Sequence, residues 1–325
     1  MSDRGGDRVL LADIGGTNAR FALLAGGELE PAVHIPVVGH GRFTDALGAY
    51  LAQQARDPID AAVLAVAGVV AGERCALTNN AWVVDAAELR AGFGLGSVRL
   101  VNDFEAVAWA LPHFLPGDVR RIGGGEVDTD APKAVLGPGT GLGVGAYVPD
   151  RGGLVLRSEG GHATLAGASA REDAVIAVMR QWFAHVSTER VLSGPGLENL
   201  YRAIAVVDRV TVPARSAADI TRAALDGECP VSRAALDMFC ALLGDFAGNL
   251  ALTFGARGGV YIAGGIIPRL CDELLRSGFR DRFEAKGRMR SYVEPIPVYV
   301  VTHKDPAFVG LRALAETALR SANPV

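Results

Sequence analysis

Lysine is scarce in this sequence of 325 residues, whose 32 basic residues include only three lysines, Lys133, Lys286 and Lys304. The Gly-Lys-Ser/Thr of a Walker-type phosphate loop does not occur, which excludes that class of nucleotide-binding protein. Dense basic runs are missing as well, and the formal net charge is −4. Both features argue against non-specific binding to nucleic acid, and we expect no nucleic-acid partner.

Cysteine is also rare. The four cysteines include no CxxC pair and no zinc-like spacing, and they are Cys75, Cys229, Cys240 and Cys271. A chain of this length does not depend on a disulfide scaffold, so we expect reduced thiols and a cytoplasmic protein.

Long apolar runs are absent too. No uninterrupted apolar stretch reaches the ~18 residues of a membrane span, and the apolar run before Asp13 has the length of a strand rather than of a secretory signal. We therefore expect no membrane partner. Half of the residues are hydrophobic and 21% are charged, which is typical of a globular protein, and the chain length predicts two domains.

Glycine, by contrast, is concentrated in turns between apolar runs, and the first example is Leu10–Leu24. Gly15 and Gly16 predict a tight turn whose backbone N–H groups can point at the oxygens of a phosphate. The Thr17 hydroxyl can add a donor, and Asp13 can hold a magnesium ion. The alternative is a β-hairpin without a ligand.

The same plan returns at 134–148, where Gly139 and Thr140 lie in the turn. Gly141–Ala146 also fits the dinucleotide fingerprint GxGxxG/A, but that fingerprint requires a following helix, and a strand is predicted here. A third glycine turn, Gly264-Gly265, could let an adenosine approach the backbone, or could simply allow close packing of a strand and a helix. Strands alternate with helices, which predicts an α/β fold with two similar halves that face one cleft.

Asn102-Asp103 directly follows a predicted strand, at the end where ligands bind in α/β sheets. Asp103 could accept a proton from a hydroxyl that attacks a phosphoryl group, and Asn102 could bind a sugar hydroxyl. The alternative is that these residues cap the helix that follows.

Three further polar residues could bind vicinal hydroxyls: Glu159 and His162 in a Glu-Gly-Gly-His turn, and Glu189. A metal site could also explain the first two, but no second histidine is nearby, and we predict no metal site made of clustered protein ligands. Without any ligand, the Glu-Gly-Gly-His segment would be an ordinary surface turn, and Glu189 would be a solvated charge at the start of a helix.

Taken together, these segments resemble the ATP-dependent glucokinase family of Gram-negative bacteria. The resemblance covers nearly the whole chain, from Leu10 to about residue 310, and the motifs occur in the order LLADIGGTNARFALL, VNDFEAVAWALP, VLGPGTGLGVGAYV, SEGGHATLAG, TERVLSGPGLENLYRA, GGVYIAGGIIPRL and FEAKGRM. The chain departs from the family at Ala12, where glycine is common, and at Pro138, and neither change removes a functional group. The cysteine-rich zinc motif of the repressor–kinase (ROK) sugar kinases is absent.

The resemblance implies an α/β, two-domain actin-like or ribonuclease-H-like ATPase fold with a cleft between the domains. It places a small domain at residues 1–113, joined by the C-terminal helix at about 304–325, and a large domain at 114–303. It also implies a homodimer that feeds glycolysis, with ATP as co-substrate, Mg²⁺, and glucose as the sugar.

By the same resemblance, Asp103 is the catalytic base, and glucose binds to Asn102, Asp103, Glu159, His162 and Glu189. ATP binds to Ala12, Asp13, Ile14, Gly15, Gly16, Thr17, Gly139, Thr140, Gly264 and Gly265. The segment Thr78-Asn79-Asn80 is expected near the sugar.

Three different functions would fit the same fold. The substrate could be another hexose, such as mannose or an N-acetyl amino sugar. The chain could be a non-catalytic sugar sensor of the same fold, or a chaperone-like ATPase of the wider fold.

Overall fold

The computed structural model describes residues 8–54, 58–77, 80–150 and 152–322. The chain forms two compact units, Met1–Phe114 with Lys304–Val325, and Leu115–His303. Strands alternate with helices in each unit, which confirms the predicted α/β class.

The first unit contains a six-stranded sheet in the order β3-β2-β1-β5-β9, with β4 also paired to β2. A separate antiparallel sheet has the order β6-β7-β8. The strands are β1 (Arg8–Ile14), β2 (Asn18–Ala25), β3 (Glu28–Leu29), β4 (Val33–Pro36), β5 (Ala61–Val66), β6 (Val70–Ala71), β7 (Arg74–Ala76), β8 (Val83–Asp85) and β9 (Ser97–Asn102).

Strands β1 and β2 form the predicted hairpin, which runs in register from the pair Arg8–Ala25 to the pair Ile14–Ala19. Strands β1, β5 and β9 are parallel, and their register aligns Ile14 with Val66 and Val66 with Asn102. Because parallel strands in register end at the same edge of a sheet, the glycine turn after β1 and the polar pair after β9 share one edge.

The described residues of this unit also form four helices, namely α1 (Phe43–Leu51), α2 (Ala86–Phe93), α3 (Asp103–Ala110) and the C-terminal helix Pro306–Ala322. The C-terminal helix packs closely on α3 at Gly310, where an added Cβ would overlap the carbonyl oxygen of Ala106. Glycine is therefore required at this crossing.

The second unit repeats the sheet plan of the first. Its order is β10-β15-β14-β11-β12-β13, in which β11 and β12 form a glycine-turn hairpin and β11, β14 and β15 are parallel. The strands are β10 (Val119–Gly123), β11 (Lys133–Pro138), β12 (Leu142–Val148), β13 (Leu154–Ser158), β14 (Val260–Ile262) and β15 (Val298–Val301). The strand after the second glycine turn confirms that this turn is not a dinucleotide-binding βα turn.

The helices of the second unit are α4 (Ala170–Met179), α5 (Gly194–Val207), α6 (Ala217–Leu225), α7 (Pro230–Phe254), α8 (Cys271–Arg276), α9 (Phe279–Glu284) and α10 (Arg290–Val293). By length and composition α7 could cross a membrane, but 67% of its most apolar window is buried inside the unit. This burial is the arrangement of a core helix.

A cluster of charged side chains joins three of these helices. Arg282 on α9 donates to Glu172 on α4 at 2.5 Å, and its guanidinium lies 4.0 Å from Asp245 on α7. Lys286 donates to the same carboxylate of Asp245 at 2.7 Å. Glu172 and Lys286 are nearly buried, so this cluster lies where charges need partners.

Replacement of Gly310 by alanine tests the close helix crossing. We expect Gly310→Ala to lower the free energy of unfolding by about 1–3 kcal/mol, because the new methyl group cannot fit against Ala106. Gly48→Ala in α1 is the control, since its added Cβ meets nothing within 4 Å. It should stabilise the protein by about 0.5–1 kcal/mol, because alanine favours helix. Urea unfolding measures both, and equal midpoints would contradict the packing argument.

The buried pair Glu172–Arg282 predicts a pH dependence of stability. Burial raises the pKa of Glu172, but hydrogen bonds from Arg282 and from the Ala168 N–H outweigh burial and hold it below its ordinary value of 4.5. A carboxyl with a depressed pKa stabilises the folded state above its unfolded-state pKa, and this stabilisation is lost as the pH falls through the folded-state pKa. Glu172→Gln should therefore cost about 1–3 kcal/mol near pH 7, and this cost should shrink as the pH is lowered through the folded-state pKa of Glu172.

Urea unfolding across this pH range measures that difference. Asp208→Asn is the control, because the Asp208–Arg171 pair is exposed to solvent and should contribute about 0–1 kcal/mol. A cost of Glu172→Gln that stays constant as the pH is lowered would contradict the expected titration.

Candidate functional site

The first glycine turn places Asp13 opposite Arg20 across the β1–β2 hairpin. The Nη1 of Arg20 donates to the Oδ2 of Asp13 at 2.8 Å, and its Nε lies 3.6 Å from the Oδ1 of Asp305. Burial raises the pKa of Asp13, and the neighbouring guanidinium opposes that rise. Sequence reasoning missed Arg20, although an arginine inside an apolar strand, across a turn from an aspartate, was a usable signal.

Backbone hydrogen bonds fix the shape of this turn. The N–H of Gly15 donates to the carbonyl oxygen of Asn18 at 3.0 Å, and the carbonyl oxygen of Gly16 accepts from the Nδ2 of Asn80 at 3.2 Å. Among the described residues, the N–H groups of Gly16 and Thr17 have no acceptor. Two donors, rather than the whole turn, therefore remain for an anionic ligand. Ala12 and Ile14 are buried in β1, the strand that leads into this turn.

Asn102 caps α3, as the capping interpretation of this residue expected. Its Oδ1 accepts from the N–H groups of Phe104 at 2.9 Å and Glu105 at 3.3 Å, and its Nδ2 donates to the carbonyl oxygen of Gly68 at 3.1 Å. The amide oxygen is thus committed to the cap, while the second N–H of Nδ2 can still donate to a ligand. Gly68 must be glycine, because an added Cβ would lie 2.7 Å from the carbonyl oxygen of Ala76.

Asp103 is the first residue of α3 and is partly buried. Its Oδ1 accepts from the N–H of Phe104 at 2.9 Å. The aligned strand ends put Asp103 about 10 Å, or two strand spacings, from the first glycine turn. That separation suits a carboxylate that acts on one side of a phosphoryl group while the turn binds the other side.

In the second unit, Glu189 organises the glycine turn between β11 and β12. Its Oε2 accepts from the N–H of Leu142 at 2.9 Å. An added Cβ at Gly141 would lie 2.5 Å from the same oxygen, so only glycine allows this approach. The carbonyl oxygen of Gly139 accepts from the N–H of Gly194 at 2.9 Å, which joins the turn, including Thr140, to the N-terminus of α5.

The Glu-Gly-Gly-His segment forms a single 3₁₀ turn, Gly160–His162, in contact with the turn that carries Glu189. The N–H of His162 donates to the carbonyl oxygen of Glu159 at 2.9 Å, and its Nδ1 lies 3.9 Å from the Oε1 of Glu189. Glu159 and His162 are exposed, and the Glu189 side chain is 30% exposed. The three predicted sugar ligands of this unit are therefore neighbours and open to solvent.

The third glycine turn lies against the second. Gly264 has φ of +96°, and an added Cβ would overlap the carbonyl oxygen of Pro138, so this glycine allows close packing against the end of β11 rather than against a helix. An added Cβ at Gly265 meets nothing within 4 Å, which leaves room for a ligand beside it. The N-terminus of α5 is also close to these turns, because an added Cβ at Gly194 would lie 3.6 Å from the carbonyl oxygen of Gly139 and 3.9 Å from Ile266.

Each unit thus brings together the candidate residues that it contains. The edge of the first sheet carries Asp13, the turn residues, Asn102 and Asp103, and the second unit joins Gly139, Glu189, His162 and Gly264 through direct contacts. Asn80 lies at the first turn, whereas Thr78 and Asn79 lie outside the described residues.

A model of the Glucokinase family matches residues 10–318. The chain belongs to the glucokinase family. The glucokinase of Paramagnetospirillum magneticum is 47% identical over 310 residues, which cover 94% of this chain and 97% of the relative. The bifunctional protein glk of Paraburkholderia xenovorans is 42% identical over 308 residues, and the chain spans only 48% of its length.

The crystal structure of a glucokinase from an Antarctic psychrotroph superimposes with a TM-score of 0.88 at 38% identity, over 96% of this chain and 99% of that one. Glucokinases have the two-domain actin-like ATPase fold, which confirms the predicted fold class. They are ATP-dependent hexose kinases, and so is this chain.

Removal of the Glu189 side chain tests whether its contacts with Gly141 and Leu142 hold the glycine turn in place. We expect Glu189→Ala to lower the free energy of unfolding by about 1–3 kcal/mol, because the buried Leu142 N–H loses its acceptor. Glu189→Gln keeps an acceptor oxygen and should cost less. Glu159→Ala removes an exposed carboxylate and should change stability by less than about 0.5 kcal/mol. Equal effects in urea unfolding of Glu189→Ala and Glu159→Ala would show that Glu189 does not hold the turn.

Proposed function

We propose that this chain transfers the γ-phosphoryl group of ATP to the 6-hydroxyl of glucose, giving glucose 6-phosphate and ADP, with Asp103 as the general base. The observation that supports this assignment is the shared sheet edge, where the strand register aligns the end of β9, just before Asp103, with the turn after β1. The affiliation with glucokinases supports the choice of glucose and ATP.

Asp103 acts on the attacking hydroxyl. Phosphoryl transfer depends mainly on positioning and on charge stabilisation, with a carboxylate that accepts the proton of the nucleophile. The N–H of Phe104 donates to Oδ1 and orients the carboxylate, which accepts the hydroxyl proton as the 6-oxygen bonds to the γ-phosphorus and the bond from that phosphorus to ADP breaks.

The other sugar ligands differ in what they offer. Asn102 donates one N–H, because its oxygen is committed to the cap. Glu159 and the Oε1 of Glu189 accept, and His162 donates or accepts according to its tautomer. A vicinal diol, in which each hydroxyl both donates and accepts, matches this mixture of groups.

The nucleotide contacts come from the glycine turns. The N–H groups of Gly16 and Thr17 donate to phosphate oxygens, Gly139 and Thr140 lie near the phosphates, and Gly265 leaves space for adenosine beside Gly264. Asp13 fits Mg²⁺, since only one of its carboxylate oxygens is paired with Arg20 and the metal commonly uses one or two carboxylates beside the phosphates. Bound Mg²⁺ would neutralise charge on the phosphates.

The remaining assignments concern the context of the reaction. We place the enzyme in the cytoplasm as a homodimer that supplies glycolysis with glucose 6-phosphate. Thiols without disulfide partners among the described residues support a reducing compartment. Analytical ultracentrifugation at several concentrations tests the dimer, and a monomer at all of them would contradict it.

An ADP-release assay with ATP and Mg²⁺ tests the reaction. We expect release with glucose and much less with mannose or fructose, because the matched relatives are named glucokinases. Strong release with mannose instead would indicate another hexose kinase. Binding of glucose in calorimetry without release would indicate a sensor, and equal release without sugar would indicate an ATPase of the wider fold.

Replacement of Asp103 tests the general base. We expect Asp103→Ala and Asp103→Asn to lower kcat by about 10²–10⁴-fold, while calorimetry still detects glucose binding. Asp85→Asn is the matched control, because Asp85 caps α2 in the same unit and asparagine keeps the cap. A kcat near the wild-type value in both Asp103 variants would remove this residue from the mechanism.

A further inference from the structure

A pocket of about 410 Å³ opens beside two of the proposed sugar ligands. Its lining contains His162 and Glu189 together with six residues of the following segment, Trp182, Phe183, Ala184, His185, Ser187 and Arg190. All of them belong to the second unit. Only two of these eight lining residues are among the proposed glucose ligands.

The orientation of Glu189 connects the proposed glucose site with the pocket. Its Oε2 points to the Leu142 N–H, while Oε1 lies 3.9 Å from the Nδ1 of His162. Both side chains also line the pocket, so a substituent on the part of a hexose that they hold could extend into it.

Arginine side chains hold the aromatic wall in place. The guanidinium of Arg190 lies 4.3 Å from the ring centre of Phe183, and that of Arg202 lies 4.9 Å from the ring centre of Trp182. Such cation–π contacts attract each guanidinium to the face of its ring and so favour this arrangement of the wall.

The polar groups of the pocket favour an uncharged ligand. Arg190 and Glu189 balance in formal charge, with histidine counted as neutral. Within the described part of the chain, the guanidinium of Arg190 has the Phe183 ring as its contact and makes no hydrogen bond or ion pair. His185 shares a hydrogen bond of 3.0 Å with Thr164. A donor without an acceptor next to an apolar ring suits a carbonyl group that carries a short alkyl chain.

We propose that this pocket is a subsite for the N-acyl group of a hexosamine, in which the amide carbonyl accepts from Arg190 and the alkyl end packs against Phe183 and Trp182. The proposal rests on the proposed function, since it requires His162 and Glu189 to hold the sugar ring. It adds N-acyl hexosamines, which carry the amide at ring carbon 2, as a second class of ligand beside glucose.

The test compares N-acetylglucosamine with glucose as substrate and as competitor of glucose phosphorylation. Arg190→Met removes the donor and keeps an apolar chain over Phe183. We expect it to weaken N-acetylglucosamine about tenfold, in KM or in inhibition constant, and to leave kcat/KM for glucose within about twofold. Arg202→Met is the matched control, because Arg202 stacks on Trp182 but does not line the pocket, and both sugars should stay within about twofold.

Three outcomes would overturn the subsite. In the first, the wild-type enzyme phosphorylates glucose, but N-acetylglucosamine neither reacts nor competes with glucose. This result would leave the proposed function intact. Another is an equal loss for both sugars in Arg190→Met, which would show that Arg190 positions Glu189. The third is selective weakening of methyl β-glucoside, substituted at carbon 1, with no change for N-acetylglucosamine. Failure of glucose phosphorylation itself would count against the proposed function instead.

Discussion

Burial of the central strands on both faces is the constraint on which the site depends. All six residues of β11 are buried, and five of the six residues of β5 are buried. Along a strand covered on both faces a charged side chain without a partner is costly, and Lys133, the charged residue of β11, lies at the first position of that strand. Functional groups are therefore found where the strands end, at Asp13 and Asn102 in one unit and around Gly139 in the other.

Glycine makes these strand ends usable. The carboxylate of Glu189 reaches the Leu142 N–H only because Gly141 has no side chain, and Gly264 fits against Pro138 for the same reason. Backbone atoms from separate segments can then approach within hydrogen-bond distance, as Gly139 and Gly194 do. The glycines thus determine which polar groups become neighbours, besides leaving space for a phosphate.

Several polar residues carry a structural contact and a proposed ligand contact at once. Asn102 caps α3 with its oxygen and keeps an N–H for a ligand, and Glu189 uses one oxygen for the hairpin and the other beside His162. A side chain held in this way loses little conformational freedom when it binds a ligand, which is the basis of a preorganised site. The choice between a capping role and a functional role at Asn102 is therefore not exclusive.

The sequence by itself determined the α/β class, both glycine-turn hairpins and the family, because these follow from local patterns of apolar and glycine residues. It did not place β13, because this edge strand leaves Leu154 and Leu156 exposed and so has no buried apolar face that a pattern could reveal. Only the tertiary structure set Glu189 on Gly141 and opened the pocket beside His162. These contacts join positions that are distant in sequence or on opposite strands, and they depend on packing at distances that no local pattern encodes.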